Sequence, residues 1–277
     1  MSTWFDLDPV LPDVWRLNDG DLDTCYVLRG SERTGVIDTG MGIGDVAAQV
    51  ARVSSAPPLV INTHVHPDHV SGNYQFEEAA IGAIEWECAQ AWLRAMPTPT
   101  ATEGDGPSPL DLMRPKRALP AEFDPKTYRP YRMHEPTRLL HEGDTIHLGG
   151  FDLEVIVVPA HTRGSICLLD RQRRTLFTGD TVLRGTVWLH LDQSAPPHTA
   201  VATYAKLAAL AADVDHVLPA HGTAVLPGSF LQALAEGTAA VAEGRIAGAP
   251  MSTFAGDGTY YDLGGYGLLF AQPVEEW

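Results

Sequence analysis

The sequence predicts an α+β fold of two βα halves, with strands inside, helices outside and no linker between them. Three observations carry it. Short β-rich runs are punctuated by turn dipeptides, stretches of helical apolar spacing lie between them, and polar residues stand repeatedly where a strand ends. With 277 residues and 44% hydrophobic content, the chain has material for a sizeable core and reads as a single domain over residues 1–277.

Val14 to Leu17, Cys25 to Arg29 and Gly35 to Asp38 read as antiparallel strands, punctuated by Asp19-Gly20 and Gly30-Ser31. Val46, Ala47, Val50 and Val53 give a helix over Gly44 to Val53, which Pro57-Pro58 ends. The apolar run Leu59, Val60, Ile61 then enters Thr63-His64-Val65-His66-Pro67-Asp68-His69, which puts three imidazoles and a carboxylate into six positions. In an extended segment His64 and His66 point the same way, so one ion can take both. Pro67 bends the chain, and a helix starting near His69 aims Asp68 and His69 at a second point nearby. Two ions about 3.5 to 4 Å apart make a hydrolytic pair. Asp38 is either a turn residue or an acceptor that orients a ligand histidine.

Ala80 to Ile84 reads as a strand and Glu85 to Met96 as a helix. From Pro97 to Pro136 proline recurs and periodicity fades, which marks an insertion: a lid, a homodimer contact or a disordered excursion. Leu110, Leu112, Met113, Phe123, Tyr128 and Tyr131 favour a packed lid or dimer contact over disorder. Strands return at Arg138 to His141, Thr145 to Leu148 and Phe151 to Val158, the last running into Pro159-Ala160-His161. Ile166 to Asp170 and Thr175 to Thr178 follow, and the second delivers Gly179-Asp180. A helix over His198 to Ala212 leads to the strand Asp215 to Leu218 and then to His221. A helix over Ser229 to Gly244 and a tail strand within Tyr260 to Phe270 complete the chain. Trp188 and His190, in the stretch after Asp180, contact substrate or simply pack.

The formal charge of -16, from 19 basic and 35 acidic residues, argues against a nucleic-acid partner. Cys25, Cys88 and Cys167 show no paired spacing, so they read as small core residues rather than a disulfide framework. Neither a basic leader nor an apolar run of membrane-spanning length is visible, which points to a cytoplasmic enzyme with no membrane partner.

Taken together, His64, His66, Asp68, His69, His161, Asp180 and His221 resemble the ligand set of the metallo-β-lactamase fold family of dinuclear hydrolases. The likeness runs in order from Val36-Ile37-Asp38-Thr39-Gly40 to Ala220-His221-Gly222. It implies a four-layer αββα sandwich with two divalent metal ions at one edge of the facing sheets, zinc first and manganese or iron as alternatives. His64, His66 and His161 would hold one ion, Asp68, His69 and His221 the other, and Asp180 would bridge them. The implied reaction is attack of a metal-bridging hydroxide on the carbonyl of a small-molecule ester, thioester or lactone, with Asp68 passing a proton to the leaving group. Leu183 stands where quorum-quenching lactonases usually carry Tyr, and Thr181 to Thr199 lacks the glutathione contacts of glyoxalase II enzymes. Asp180 and the absence of a leader count against antibiotic hydrolysis. The rival readings are a mononuclear-iron persulfide dioxygenase-like oxidoreductase and a non-catalytic metal-binding member.

Overall fold

The computed structural model describes residues 4–95, 117–131, 133–222 and 225–277. Residues 97–116 of the insertion, with Leu110, Leu112 and Met113, lie outside the described residues. The chain forms two compact units: residues 1–140 with 148–150, and residues 141–147 with 151–277.

In the first unit seven strands lie side by side in chain order: β1 (Phe5–Leu11), β2 (Val14–Asp19), β3 (Asp23–Arg29), β4 (Thr34–Ile37), β5 (Pro58–Asn62), β6 (Ala79–Gly82) and β7 (Arg138–Leu140). β1 to β4 pair antiparallel, as tight turns allow. From β4 to β7 the pairing is parallel, and crossovers carry α1 (Val46–Val53), α2 (Pro67–Val70) and α3 (Ala83–Ala95). Parallel neighbours end on the same edge, so Asp38 after β4 and Thr63 after β5 come together: the Thr63 amide donates to Asp38 Oδ1 at 2.8 Å. Leu17, Val27, Val36, Val50 and Val60 form the core behind them.

In the second unit β8 (Thr145–His147), β9 (Asp152–Val157), β10 (Ile166–Asp170), β11 (Thr175–Gly179), β13 (His216–Pro219) and β14 (Leu226–Pro227) form one sheet, in the order β14-β13-β11-β10-β9-β8. A second sheet, β12-β17-β16-β15, is built from β12 (Thr186–Leu189), β15 (Ala249–Thr253), β16 (Gly256–Asp262) and β17 (Gly267–Phe270). The helices of this unit are α4 (Pro197–Ala208) and α5 (Ser229–Ala242). β9 and β11 both run antiparallel to β10, and β13 runs parallel to β11, so all three finish at one edge. His161, Asp180 and His221 follow those three strands.

Both units bear out the α+β class, and three local differences have physical causes. β1 was not foreseen, because Asp6, Asp8 and Pro9 disguise a period-2 alternation in which Phe5 and Leu7 pack on the core. α3 begins two residues before Glu85, since Gly82 ends β6 and leaves Ile84 half exposed on the helix. α2 begins at Pro67 rather than near His69, with proline in the first turn, where its missing N–H costs nothing. Cys25 and Cys167 are buried as expected, whereas Cys88 is exposed. No helix among the described residues is long and apolar enough to cross a membrane.

Candidate metal centre

The first unit carries four of the foreseen donors on the loop after β5 and on α2. Asp38 organises them from a left-handed backbone conformation, φ 59°. Besides the Thr63 amide, its carboxylate accepts from the Thr63 hydroxyl at 2.7 Å and from His69 Nδ1 at 2.9 Å. Both readings of Asp38 therefore hold: it makes the turn and it orients a histidine. With its own hydrogen committed to Asp38, the Thr63 oxygen accepts from His64 Nδ1–H at 3.1 Å. That leaves the Nε2 lone pairs of His64 and His69 to face outward. His66 Nδ1 lies 3.1 Å from His64 Nε2, so the pair converges as the alternation required. His69 Nε2 lies 3.7 Å from Asp68 Oδ2.

In the second unit Asp180 sits between two imidazoles, its Oδ2 3.2 Å from His221 Nε2 and 3.5 Å from His161 Nε2. The Trp188 carbonyl accepts from His161 Nδ1–H at 2.7 Å, which makes Nε2 the unprotonated nitrogen. The Ser194 hydroxyl donates to the His161 carbonyl at 2.9 Å and steadies the loop.

These donor sets fit divalent metal. Bonds of about 2.0–2.2 Å meeting at tetrahedral angles hold neighbouring ligand atoms about 3.3–3.6 Å apart. The separations within each unit, 3.1 and 3.7 Å in one and 3.2 and 3.5 Å in the other, cluster around that spacing. Imidazole with carboxylate suits zinc and its first-row neighbours.

Several supporting residues escaped the sequence reading. Asn62 and Asn73 exchange a bond of 2.7 Å, Thr39 Oγ1 donates to Asn73 at 2.7 Å, and Asn62 Nδ2 donates to the His69 carbonyl at 2.9 Å. This buried network clamps α2 beneath its ligands. The Glu85 carboxylate, also buried, accepts from the Val65 amide at 2.9 Å and holds the loop between His64 and His66. Asn62, a polar residue closing an apolar strand, was a usable signal; Glu85 looked like an ordinary acid in a first helical turn. Asp19, buried behind the site, accepts from the Trp4 indole and the Met41 amide. Burial pushes its carboxyl up to about 6, against the pull of those hydrogen bonds and with a further push from Asp68.

The described part of the insertion packs on its own unit. Arg117 pairs with Asp6 and Asp21, Tyr128 donates to the Met41 carbonyl at 3.0 Å, and Tyr131 meets the Trp92 ring edge-on at 4.9 Å. Burial, then the charge of Asp68, raises the Tyr131 phenol, which places that ring in the field of the Asp68 carboxylate. A cleft of about 500 Å³ opens between Ile43, Asp45, Tyr74, Phe123, Tyr128 and Arg129.

Trp188 and His190 stand at the end of β12. Their rings meet edge-on at 5.3 Å, and burial, with the nearby His161, lowers the pKa of His190. Thr253 Oγ1 gives its hydrogen to the Gly256 carbonyl, so it accepts from His190 Nε2–H at 3.1 Å.

Fold and donors together define a class: α+β proteins that present imidazoles and carboxylates from strand ends. The chain belongs to the metallo-beta-lactamase superfamily, whose model matches residues 19–221. It is similar to a protein of Bos taurus named acyl-coenzyme A thioesterase MBLAC2, 35% identical over 186 residues, which are 61% of this chain and 62% of that protein. The matched part thus spans less than two thirds of that relative. A hydroxyacylglutathione hydrolase of Hyphomonas neptunium is 30% identical over 156 residues, 55% of this chain and 44% of that one. Among solved structures, a metallo-beta-lactamase family protein of Thermus thermophilus superposes with a TM-score of 0.60 at 15% identity, covering 86% of this chain and 83% of that one.

Proposed function

We propose that the chain is a metal-dependent hydrolase of small-molecule thioesters, acting as one catalytic domain over residues 1–277. His64, His66 and His161 would hold one divalent ion and Asp68, His69 and His221 a second, with Asp180 serving both. Zinc is the expected metal. The observation that carries this reading is the donor spacing of 3.1 to 3.7 Å within each unit, which matches neighbouring ligands on a common ion. The thioester class is supported by the relatives' names, one a coenzyme A thioesterase and the other a hydrolase of an acylated glutathione. Those names favour hydrolysis over persulfide oxidation.

When bound, the ions supply a Lewis acid for the carbonyl oxygen and bring a water's pKa toward about 7. The chain's residues do the rest. Asp38 and the Trp188 carbonyl hold His69 and His161 in the tautomers that carry the lone pair on Nε2. Asp68, half-buried where His64 and His69 are enclosed, would take the proton that the attacking water gives up and hand it to the departing thiolate. Trp188 contacts the substrate, while His190 anchors the wall that carries it. The described part of the insertion, with Phe123, Tyr128 and Tyr131 engaged within their own unit, supports a cap on its own chain over a homodimer contact. A cytoplasmic location is supported by the three free cysteines.

The test is elemental analysis of protein purified without added metal, with thiol release from acetyl-coenzyme A and hydrolysis of an aryl ester and a γ-lactone assayed on the same sample. Two equivalents of zinc, with turnover lost in His66→Ala, are expected. One equivalent of iron, no hydrolysis and thiol-dependent oxygen uptake would overturn the reading.

A further inference from the structure

Asp13, Asp21, Asp38 and Arg174 share a left-handed backbone with Tyr131, but Tyr131, at φ 60°, is the one aromatic among the described residues to hold it. Asp accommodates that conformation with a short polar side chain, whereas for a bulky ring it is uncommon and strained. Strain of this kind persists only where the surroundings impose it, and it gathers at active sites and ligand clamps. The surroundings here are specific. The Tyr131 amide donates to Ser71 Oγ at 3.0 Å, its carbonyl accepts from the Met133 amide at 2.8 Å, and its ring meets Trp92 of α3 edge-on at 4.9 Å. Met133 in turn packs against the cluster that contains Val65, the residue between His64 and His66.

The clamp fastens Tyr131 to α2. Ser71 ends that helix in helical conformation, three residues after Asp68. Residues at this spacing share a helix face, with Cβ atoms about 5–6 Å apart, so Tyr131 sits on the face that carries Asp68. Asp68 is also the foremost charge acting on its phenol: burial, then Asp68, then Tyr128 raise it, so the group stays an O–H donor. Tyr131 is half-buried, and its hydroxyl has no hydrogen-bond partner among the described residues. Tyr128 differs, because its hydroxyl is spent on the Met41 carbonyl. During hydrolysis beside Asp68, the departing sulfur receives the proton that Asp68 carries. The atom still in need of a donor is the carbonyl oxygen, which gains negative charge as its carbon becomes tetrahedral.

We propose that Tyr131 is a catalytic residue whose phenol donates a hydrogen bond to the thioester carbonyl oxygen, a bond that strengthens as that oxygen becomes an oxyanion. The proposal rests on the thioesterase reading above. Water, losing its proton to Asp68, adds to the carbonyl carbon, and the π pair moves to the oxygen that Tyr131 holds. The pair returns as the C–S bond breaks, and the phenol keeps its hydrogen throughout. The test uses Tyr131→Phe, which keeps the ring on Trp92. With acetyl-coenzyme A and the zinc-loaded enzyme, kcat should fall about 100-fold, KM should change less than about fivefold, and zinc content should stay the same. Calorimetry then compares two unreactive analogues of acetyl-coenzyme A: a ketone with methylene in place of sulfur, and its counterpart with methylene in place of the carbonyl as well. The wild type should prefer the ketone, and Tyr131→Phe should lose about fivefold of that preference. Tyr128→Phe should lower the melting temperature and leave the preference intact. Equal effects of the two variants on the preference, or none from Tyr131→Phe, would overturn the proposal. If the wild type hydrolyses no thioester, the thioesterase reading fails by itself. The analogues still decide the phenol's role: a ketone preference lost in Tyr131→Phe supports it, and equal affinities of the wild type for the two overturn it.

Discussion

Asp38 shows how much one side chain does at this site. It occupies a left-handed conformation, which Asn and Asp tolerate better than other residues with a Cβ, and its two oxygens serve Thr63 and His69 together. Asp38→Asn keeps the size and the backbone preference but offers a single oxygen. If that oxygen stays on the Thr63 amide, the amide NH₂ faces His69 Nδ1 and can only donate, which forces the other tautomer and places a hydrogen on the Nε2 that should bind metal. The variant should fold with near-native thermal stability while losing zinc affinity by roughly 10- to 100-fold. Competition with a chelating indicator measures this, and an unaltered affinity would refute the orienting role.

Among the elements, α3 supports the ligand loop through Glu85. The Val65 amide is buried with that carboxylate as its acceptor, so Glu85→Ala strands an N–H at a cost of about 1–3 kcal/mol. At about 2–4 °C per kcal/mol, the melting temperature should fall by several degrees. Glu85→Gln keeps an acceptor oxygen and should recover most of the loss in the same melting experiment. Equal loss in both variants would show that the charge, rather than the hydrogen bond, matters. The contrast between Glu85 and His64 also explains what the sequence could reveal. His64, His161, Asp180 and His221 were legible because each follows a recognisable apolar strand, and chemistry-bearing residues at strand ends are uncommon without a purpose. Glu85, Asn62 and Asn73 act through hydrogen bonds to backbone or to one another across distant segments, and no local period encodes such pairing. β1 was missed for the opposite reason: its alternation is present, but acids on the solvent face and Pro9 hide it.

For the molecule as a whole, the question is what holds so many acids in place. The chain carries a formal charge of -16, and Asp19, Asp23 and Asp38 are buried in the first unit, with Asp68 in the first turn of α2. Burial raises the Asp19 carboxyl to about 6, and the charge of Asp68 pushes the same way. Divalent ions on Asp68 and Asp180 would offset part of this. They would bind the native chain alone, because His161, Asp180 and His221, far apart in sequence, come together only in the folded second unit. An ion present at 1,000 times its Kd adds about 4 kcal/mol to stability. Chelation should therefore lower the melting temperature by roughly 10 °C and abolish thioester turnover, and zinc should restore both. The order of recovery distinguishes stability from chemistry. If the melting temperature returns with the first equivalent of zinc and turnover only with the second, the two ions have separate roles; if chelation changes neither property, the donor clusters are not a metal centre.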